Sequence, residues 1–265
     1  MRYETPATLF AGTEESYSVY RPPHPAVFVD YVAGLDPGDP VLDLGTGPGS
    51  FALGLASRGR RAIGVDVSPK MVEVARKRAA EEGLDGAVDF HVGDAHDLTG
   101  LPKVGGVVIG DAFHWFDRAS VLCRLDALVV SGGFVAVMMS YAAGTAKPWW
   151  YPLADRVIHR YLGTARRAGP AALHHEQPGG DHESVLRTSA FNVLTVMRTD
   201  MRLSMSLDQV MGLQYTQAFS SPAVLGERLP EFDGGLRRLL LAAEPSGMFT
   251  ATIRPGLIVA RRGED

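Results

Sequence analysis

The sequence predicts a doubly wound α/β domain, a parallel sheet with helices packed on both faces. Three observations predict it. Short apolar runs recur at residues 41–44, 62–65, 88–92, 104–109 and 134–139, and helical patterns separate most of them. The runs are continuous rather than alternating, as expected of strands buried on both faces. Glycines and acids cluster where the runs end, which is where ligands sit in such sheets.

Composition narrows the function class. The chain has 265 residues, 46% of them hydrophobic, enough for one sizeable core. A formal net charge of -4, with no basic run, argues against a nucleic-acid binder. The longest apolar run, 129–139, is broken by Ser131, Gly132 and Gly133 and is too short to span a bilayer. The start, MRYETPATLF, lacks the pattern of a signal peptide, so a cytoplasmic protein is expected. The single cysteine, Cys123, excludes an intrachain disulfide and is expected to be a buried apolar residue in a helix.

The elements follow in order. Residues 1–40 form an N-terminal lid, with Tyr17-Ser-Val-Tyr-Arg-Pro-Pro-His-Pro25 followed by a helical face of Val27, Phe28, Tyr31 and Val32. Asp36-Pro-Gly-Asp-Pro40 is a turn. Residues 50–57 read as a helix. Ser68-Pro69 starts the next one, with a cap and a proline at the first helical position. In it Met71, Val72, Ala75 and Ala79 face inward, and Gly83 is its stop. Val121, Leu122, Leu125 and Leu128 make a further helical stripe. From Tyr141 to Glu183 the alternation breaks: a helix led by Trp149, Trp150 and Tyr151 runs to Tyr161, and a loop rich in Gly, Pro and His follows. Strand signal returns over 191–203 and 249–260, with helical signal at 207–215 and 223–241 between. The expectation is one domain over 1–265, in which residues 141–189 form a substrate cap inserted between the fifth and sixth strands.

The strongest motif is Val41-Leu-Asp-Leu-Gly-Thr-Gly-Pro-Gly49, a buried strand ending in a glycine turn that opens a helix. Gly45 and Gly47 let the backbone approach a ligand closely, and the helix start offers free N–H groups. A dinucleotide fingerprint requires G-x-G-x-x-G, but the third glycine comes one residue early and position 50 is serine. This disfavours a NAD-dependent oxidoreductase. Asp43 suits the amino group of a methionine moiety, directly or through water. Asp66, ending the second run in Gly64-Val-Asp-Val-Ser68, can accept both hydroxyls of a ribose. Asp94, in Gly93-Asp-Ala-His-Asp-Leu98, is placed for an adenine amino group.

This set resembles the class I S-adenosylmethionine (SAM)-dependent methyltransferases. A narrower likeness, to the small-molecule group related to trans-aconitate methyltransferase (type 11), rests on Tyr17 to Pro25, on Asp111-Ala-Phe-His-Trp-Phe-Asp117 and on the 214–235 region. The resemblance implies a Rossmann-like seven-stranded sheet in the order 3-2-1-4-5-7-6. It also implies SAM as cofactor, S-adenosylhomocysteine as product, and Met71 and Ala95 near the adenine. Asp111 departs from the pattern, since relatives commonly carry an uncharged residue there. The 141–183 segment matches nothing that would name a substrate.

The expected function is methyl transfer to an O, N or C atom of a small metabolite. The alternative is a SAM-binding protein of the same fold that catalyses another reaction or none. Methyl transfer from a sulfonium depends on positioning and water exclusion, and a base is needed only for a protonated acceptor. His114 is the candidate base; its other reading is a structural pair with Trp115 that closes the crevice. Asp111 has four readings: contact with the methionine part, stabilisation of a cation, orientation of His114, or a helix cap. Arg21 suits the SAM carboxylate under a lid of Tyr17 or Tyr20, or is simply an exposed arginine. Tyr20, Trp115, Trp149 and Trp150 are candidate substrate contacts, the last two with Tyr151 as a flat wall or as plain packing. His174, His175, Asp181, His182 and Glu183 match no metal-site spacing, so no metal is expected. The expected partner is a small-molecule acceptor, with no nucleic acid and no membrane, and the protein a monomer or homodimer.

Overall fold

The computed structural model describes residues 10, 12–163 and 181–263. His174 and His175 therefore lie outside the described residues. Two short helices, α1 (Glu14–Tyr20) and α2 (Ala26–Ala33), precede the sheet. Its parallel part is β1 (Val41–Leu44), β2 (Ala62–Asp66), β3 (Val88–Val92), β4 (Val104–Gly110) and β5 (Val129–Met139). The intervening helices are α3 (Ser50–Ala56), α4 (Pro69–Glu81) and α5 (Arg118–Leu128). Ser68 caps α4, its Oγ accepting from the Met71 N–H (3.3 Å) with Pro69 in the first turn, as the sequence predicts.

After β5 come α6 (Tyr151–Leu162), α7 (His182–Arg187), β6 (Val193–Arg198), β7 (Met201–Ser206), α8 (Leu207–Tyr215), α9 (Pro222–Leu225), α10 (Leu229–Ala243), β8 (Met248–Ile253) and β9 (Gly256–Arg261). The main sheet runs β3-β2-β1-β4-β5-β9-β6, with β9 antiparallel to both β5 and β6. Counting only its own strands, this is the expected 3-2-1-4-5-7-6. Both faces are buried: Val135 and Val137 of β5 join the core under α5, while Phe134, Ala136 and Met138 pack against α2 and α3.

Two single strands expected from the sequence, 191–203 and 249–260, are each two strands. Pro255, which has no N–H to give a ladder, separates β8 from β9, and an Arg254–Asp200 ion pair (2.6 Å) ties that break to the one between β6 and β7. β7 and β8 leave the main sheet and pair antiparallel with each other. They support a second core in which Trp150 and Ile158 of α6 and its N-cap meet Met211, Phe232, Leu236 and Phe249. The cap is thus gathered from two stretches and extends well beyond 141–189. α7, inside that span, packs Val185 and Leu186 back onto the sheet. Cys123 corrects another expectation. It lies in α5, but the buried stripe is Val121, Leu122, Leu125 and Leu128, which turns Cys123 to solvent.

Helix α1 joins the two cores. Its Tyr20 ring lies flat over Gly212 of α8, so close that a Cβ at 212 would fall 2.3 Å from the ring. Tyr20, a candidate substrate contact, is instead the packing surface between lid and cap. Among the described residues no helix is long and apolar enough to cross a membrane.

Candidate functional site

The glycine turn after β1 is shaped by three positive φ angles, +73° at Gly45, +53° at Gly47 and +80° at Gly49. A Cβ at Gly45 would collide with Ala112 at 2.6 Å, so the turn is pressed against the end of β4. Nothing lies within 4 Å of where a Gly47 Cβ would stand, which leaves its backbone as an open floor.

Asp43 fixes this turn from beneath. It is buried, and its Oδ2 accepts from Thr46 Oγ1 (2.7 Å) and from the Ala52 N–H (3.0 Å) at the start of α3. Burial pushes its carboxyl up to about 7 against those two hydrogen bonds. It does not line the cavity above, and its two hydrogen bonds hold the turn.

That cavity, of about 130 Å³, opens at the C-terminal ends of β1 to β4. Asp66 stands in it, pinned by the Gly47 N–H on Oδ2 (2.8 Å) and the Ser68 N–H on Oδ1 (2.9 Å). Burial raises its pKa, and the two bonds oppose the rise. Met71 and Ala95 line the same space. Asp94 also lines it and folds back on His96, accepting from its N–H and pairing with its Nδ1, both at 2.8 Å. Burial alone would raise the Asp94 pKa, but the His96 bonds outweigh it and hold it low. The lid closes the cavity from above. Phe10 sets its ring edge-on to Tyr17 (6.1 Å) and to Trp115 (5.5 Å), and all three are lining residues. Phe10, His96, Val67 and Phe116 were missed by the sequence reading. Phe10 has no motif around it, whereas Phe116 and His96 sit inside motifs already noticed.

Beyond Tyr17 a second cavity, of about 360 Å³, shares Gly45, Gly47 and Asp111 with the first. Arg21 lies here with its guanidinium over the Tyr17 ring (4.8 Å), its Nε–H donating to Thr216 (2.9 Å). Arg21 is thus held between lid and cap rather than exposed. Asp111, at φ +50°, accepts on its two oxygens from the N–H (2.8 Å) and the hydroxyl of Ser140. It clasps the end of β4 to the end of β5 and caps no helix, which removes one of its four readings. His24, unnoticed in the sequence, also lines this space. Its ring packs on Phe51 (5.1 Å), and burial lowers its pKa despite the nearby Asp111.

His114 sits in a 3₁₀ turn, Phe113–Trp115, with its ring against Trp115 (4.9 Å). Trp115 lines the first cavity and His114 does not. His182 stands close by on Phe113 (5.2 Å), 3.2 Å from Arg118 through its Nδ1. Trp150 is fully buried in the cap core, so it is no substrate wall, and its Nε1 has no partner among the described residues. Trp149 stacks on Phe249 (5.7 Å) with 45% of its surface exposed. Asp181 caps α7, and Glu183 pairs with Arg198 at 3.7 Å. Among the described residues no three possible metal ligands gather.

Comparison with known proteins shows what the chain is similar to. Residues 41–133 match the family model described as a methyltransferase domain. That segment, about a third of the chain, is similar to a methyltransferase domain. Its relatives include magnesium-protoporphyrin O-methyltransferase of Rhodobacter capsulatus, 34% identical over 50% of this chain and 63% of that protein. Trans-aconitate 2-methyltransferase of Rhodococcus jostii is 32% identical over 42% of this chain and 43% of its own length. The chain spans from a fifth to just under two thirds of the curated relatives it matches first. A methyltransferase structure from Anaeromyxobacter dehalogenans shares the fold across 92% of this chain and 98% of that one, with a TM-score of 0.65 at 22% identity. The methyltransferase domain's glycine turn, Asp66 and the Asp94–Ala95 turn all fall inside the matched segment, whereas Arg21, the lid and the cap fall outside it.

Proposed function

We propose that this methyltransferase domain acts on a small-molecule acceptor, placing the methyl group of SAM on an oxygen, nitrogen or carbon atom and releasing S-adenosylhomocysteine. The observation that carries this reading is the cavity under Tyr17, where Asp66, Asp94, Ala95 and Met71 converge on the open Gly47 floor. Its donor set fits an adenosine. Asp66 has carboxylate oxygens already oriented by Gly47 and Ser68 for a ribose diol, and Met71 and Ala95 give apolar walls for a base. Arg21, in the adjoining cavity, offers a fork for the carboxylate of the methionine part. When bound, the sulfonium supplies an electrophilic methyl carbon, whose bond to sulfur breaks as the bond to the acceptor forms.

The chain's own work is then positioning and exclusion of water. Phe10, Tyr17 and Trp115 roof the crevice with rings, which strengthens every polar contact beneath them. In our reading His114 takes the proton that a hydroxyl or ammonium acceptor must lose. Asp111, with Ser140 on both oxygens, sets the backbone from which His114 projects. The names of the relatives above support a small acceptor, and the chain's charge of -4 suits one better than a polyanion.

Calorimetric titration with SAM, with S-adenosylhomocysteine and with NADH as control tests the cofactor. Micromolar binding of the first two and none of the third is expected, and failure of SAM to bind would overturn the reading. His114→Ala should lower kcat at least about 100-fold with SAM affinity unchanged. Full turnover in that variant would remove His114 as the base.

A further inference from the structure

We propose that the cleft between the start of α6 and the turn after α8 is a second ligand site of this protein, beside the cofactor crevice, and that it takes a planar aromatic acid. The proposal goes beyond the methyltransferase reading above, since the cleft shares no lining residue with the two cavities at the glycine turn. The cleft holds about 620 Å³, inside the range of roughly 300–1,000 Å³ usual for small-molecule sites. Trp149 and Tyr151 supply ring faces on one side and Phe219 on the other, while Gln217 adds an amide. Trp149 keeps nearly half its surface open although it is anchored by stacking on Phe249 and by its indole N–H on Thr250 O (3.1 Å). A fixed ring with an open face is what a flat ligand stacks on.

Charge gives the second half of the class. Lys147 lines the cleft with its ammonium 5.0 Å above the Tyr151 ring, and among the described residues no carboxylate pairs with it. The acid in the cleft, Asp155, already faces Nδ1 of His159 at 3.4 Å. A carboxylate on the ligand would meet a cation there without meeting an unengaged acid.

The walls of the cleft also make contact with the crevice. Tyr151 stands edge-on to Tyr141 at 5.9 Å, and Tyr141 directly follows Ser140, the residue clasped by Asp111. Across the cleft, Gln214 and Gln217 flank Thr216, which holds Arg21 at 2.9 Å. Arg21 is therefore held by a residue that lies between two lining residues of the cleft, and Tyr151 stands between ligand and crevice.

The test titrates the full chain by calorimetry with 2-naphthoate and with its uncharged counterpart, 2-naphthalenemethanol, each with and without S-adenosylhomocysteine. Naphthoate is expected to bind at submillimolar Kd and the alcohol about tenfold more weakly. Lys147→Ala should bring naphthoate to the affinity of the alcohol, and Lys147→Arg should retain it. Lys147 is exposed, so its variants are expected to melt like the parent. No naphthoate binding, equal binding of the two probes, or indifference to Lys147→Ala overturns the proposal. Loss of S-adenosylhomocysteine binding while naphthoate still depends on Lys147 would instead overturn the methyltransferase reading and leave a binding site for aromatic acids.

Discussion

The crevice at the ends of β1 to β4 is assembled from turns that each leave a neighbouring strand, whereas the cap core is assembled from two stretches separated by β6. In the crevice, Gly45, Asp66, Ala95 and Asp111 owe their places to strands whose register is fixed by parallel pairing. In the cap, Trp150 meets Phe249 and Phe232 only because β7 and β8 leave the main sheet and pair with each other. The first kind of site depends on turns between neighbouring strands. The second depends on contacts between segments remote in the chain. Helix α1 touches both, with Tyr17 in the crevice and Tyr20 on α8.

The largest expected effect belongs to the crevice. Asp66→Ala deletes the acceptor proposed for a ribose diol and frees the Gly47 N–H that it holds at 2.8 Å. Hydrogen bonds to a charged group contribute about 1.5–3 kcal/mol each, so SAM affinity should fall at least about 100-fold. Calorimetry reads this directly. Affinity within about threefold of the parent would mean that the ribose lies elsewhere.

A smaller effect should come from the seam between the regions. In Gly212→Ala the new Cβ would stand 2.3 Å from Tyr20 Cγ, an atom too near its backbone to swing aside. Helix α1 must shift, at a cost of about 1–3 kcal/mol in stability. Tyr17 and Arg21 move with it, so SAM binding should weaken about tenfold, although no residue of the crevice has been altered. If thermal melting drops while SAM affinity is unchanged, the lid is not coupled to the cap through Tyr20.

The same contrast explains what could be read from the sequence. The strand runs, the glycine spacing and the Ser68-Pro69 cap are local patterns, and the family resemblance carried by such patterns implied the sheet order. Asp43, Asp66 and Asp94 were found for the same reason, although only the structure shows that Asp43 lies under the turn while Asp66 and Asp94 stand in the cavity. The cap has no such signal. A helical stripe at 207–215 shows that one face is buried but not that it buries against α1 and α10. Apolar runs at 191–203 and 249–260 do not show that each serves two sheets. Trp150 and Trp149 are adjacent and chemically alike, yet one is the centre of a core and the other half open, a difference set entirely by residues about a hundred positions away.

Asp43 allows a test of the crevice from below through pH. Its carboxyl titrates near 3.8 when unconstrained and at about 7 in the fold, because burial opposes its charge. Between those values the unfolded chain has lost the proton and the folded chain keeps it, so stability falls as pH rises through that window and levels off above it. Asn at this position can accept the same bonds from Thr46 and Ala52 without titrating. Asp43→Asn should therefore gain on the parent as pH rises from 4 to 7 when melting temperatures are compared. A constant gap between the two proteins across that range would show that Asp43 is ionised throughout.

The smallest effect expected lies on the α5 side of the site, at His182. Arg118 can only donate, so the 3.2 Å contact from its Nη1 makes the His182 Nδ1 an acceptor and leaves the neutral ring's proton on Nε2. Burial first, then the charges of His114 and Arg118, lower its pKa from 6.5 to about 4, while Asp181 and Asp111 pull the other way. The unfolded chain binds this proton between 6.5 and 4 and the folded chain does not, so stability is lost as pH falls through that interval. His182→Gln should lose stability less steeply on the acid side. Imidazole nitrogen shifts measured by NMR should show Nδ1 bare and Nε2 protonated at neutral pH, and Arg118→Met should let the two tautomers mix. A protonated Nδ1 in the parent would mean that Arg118 does not orient this ring.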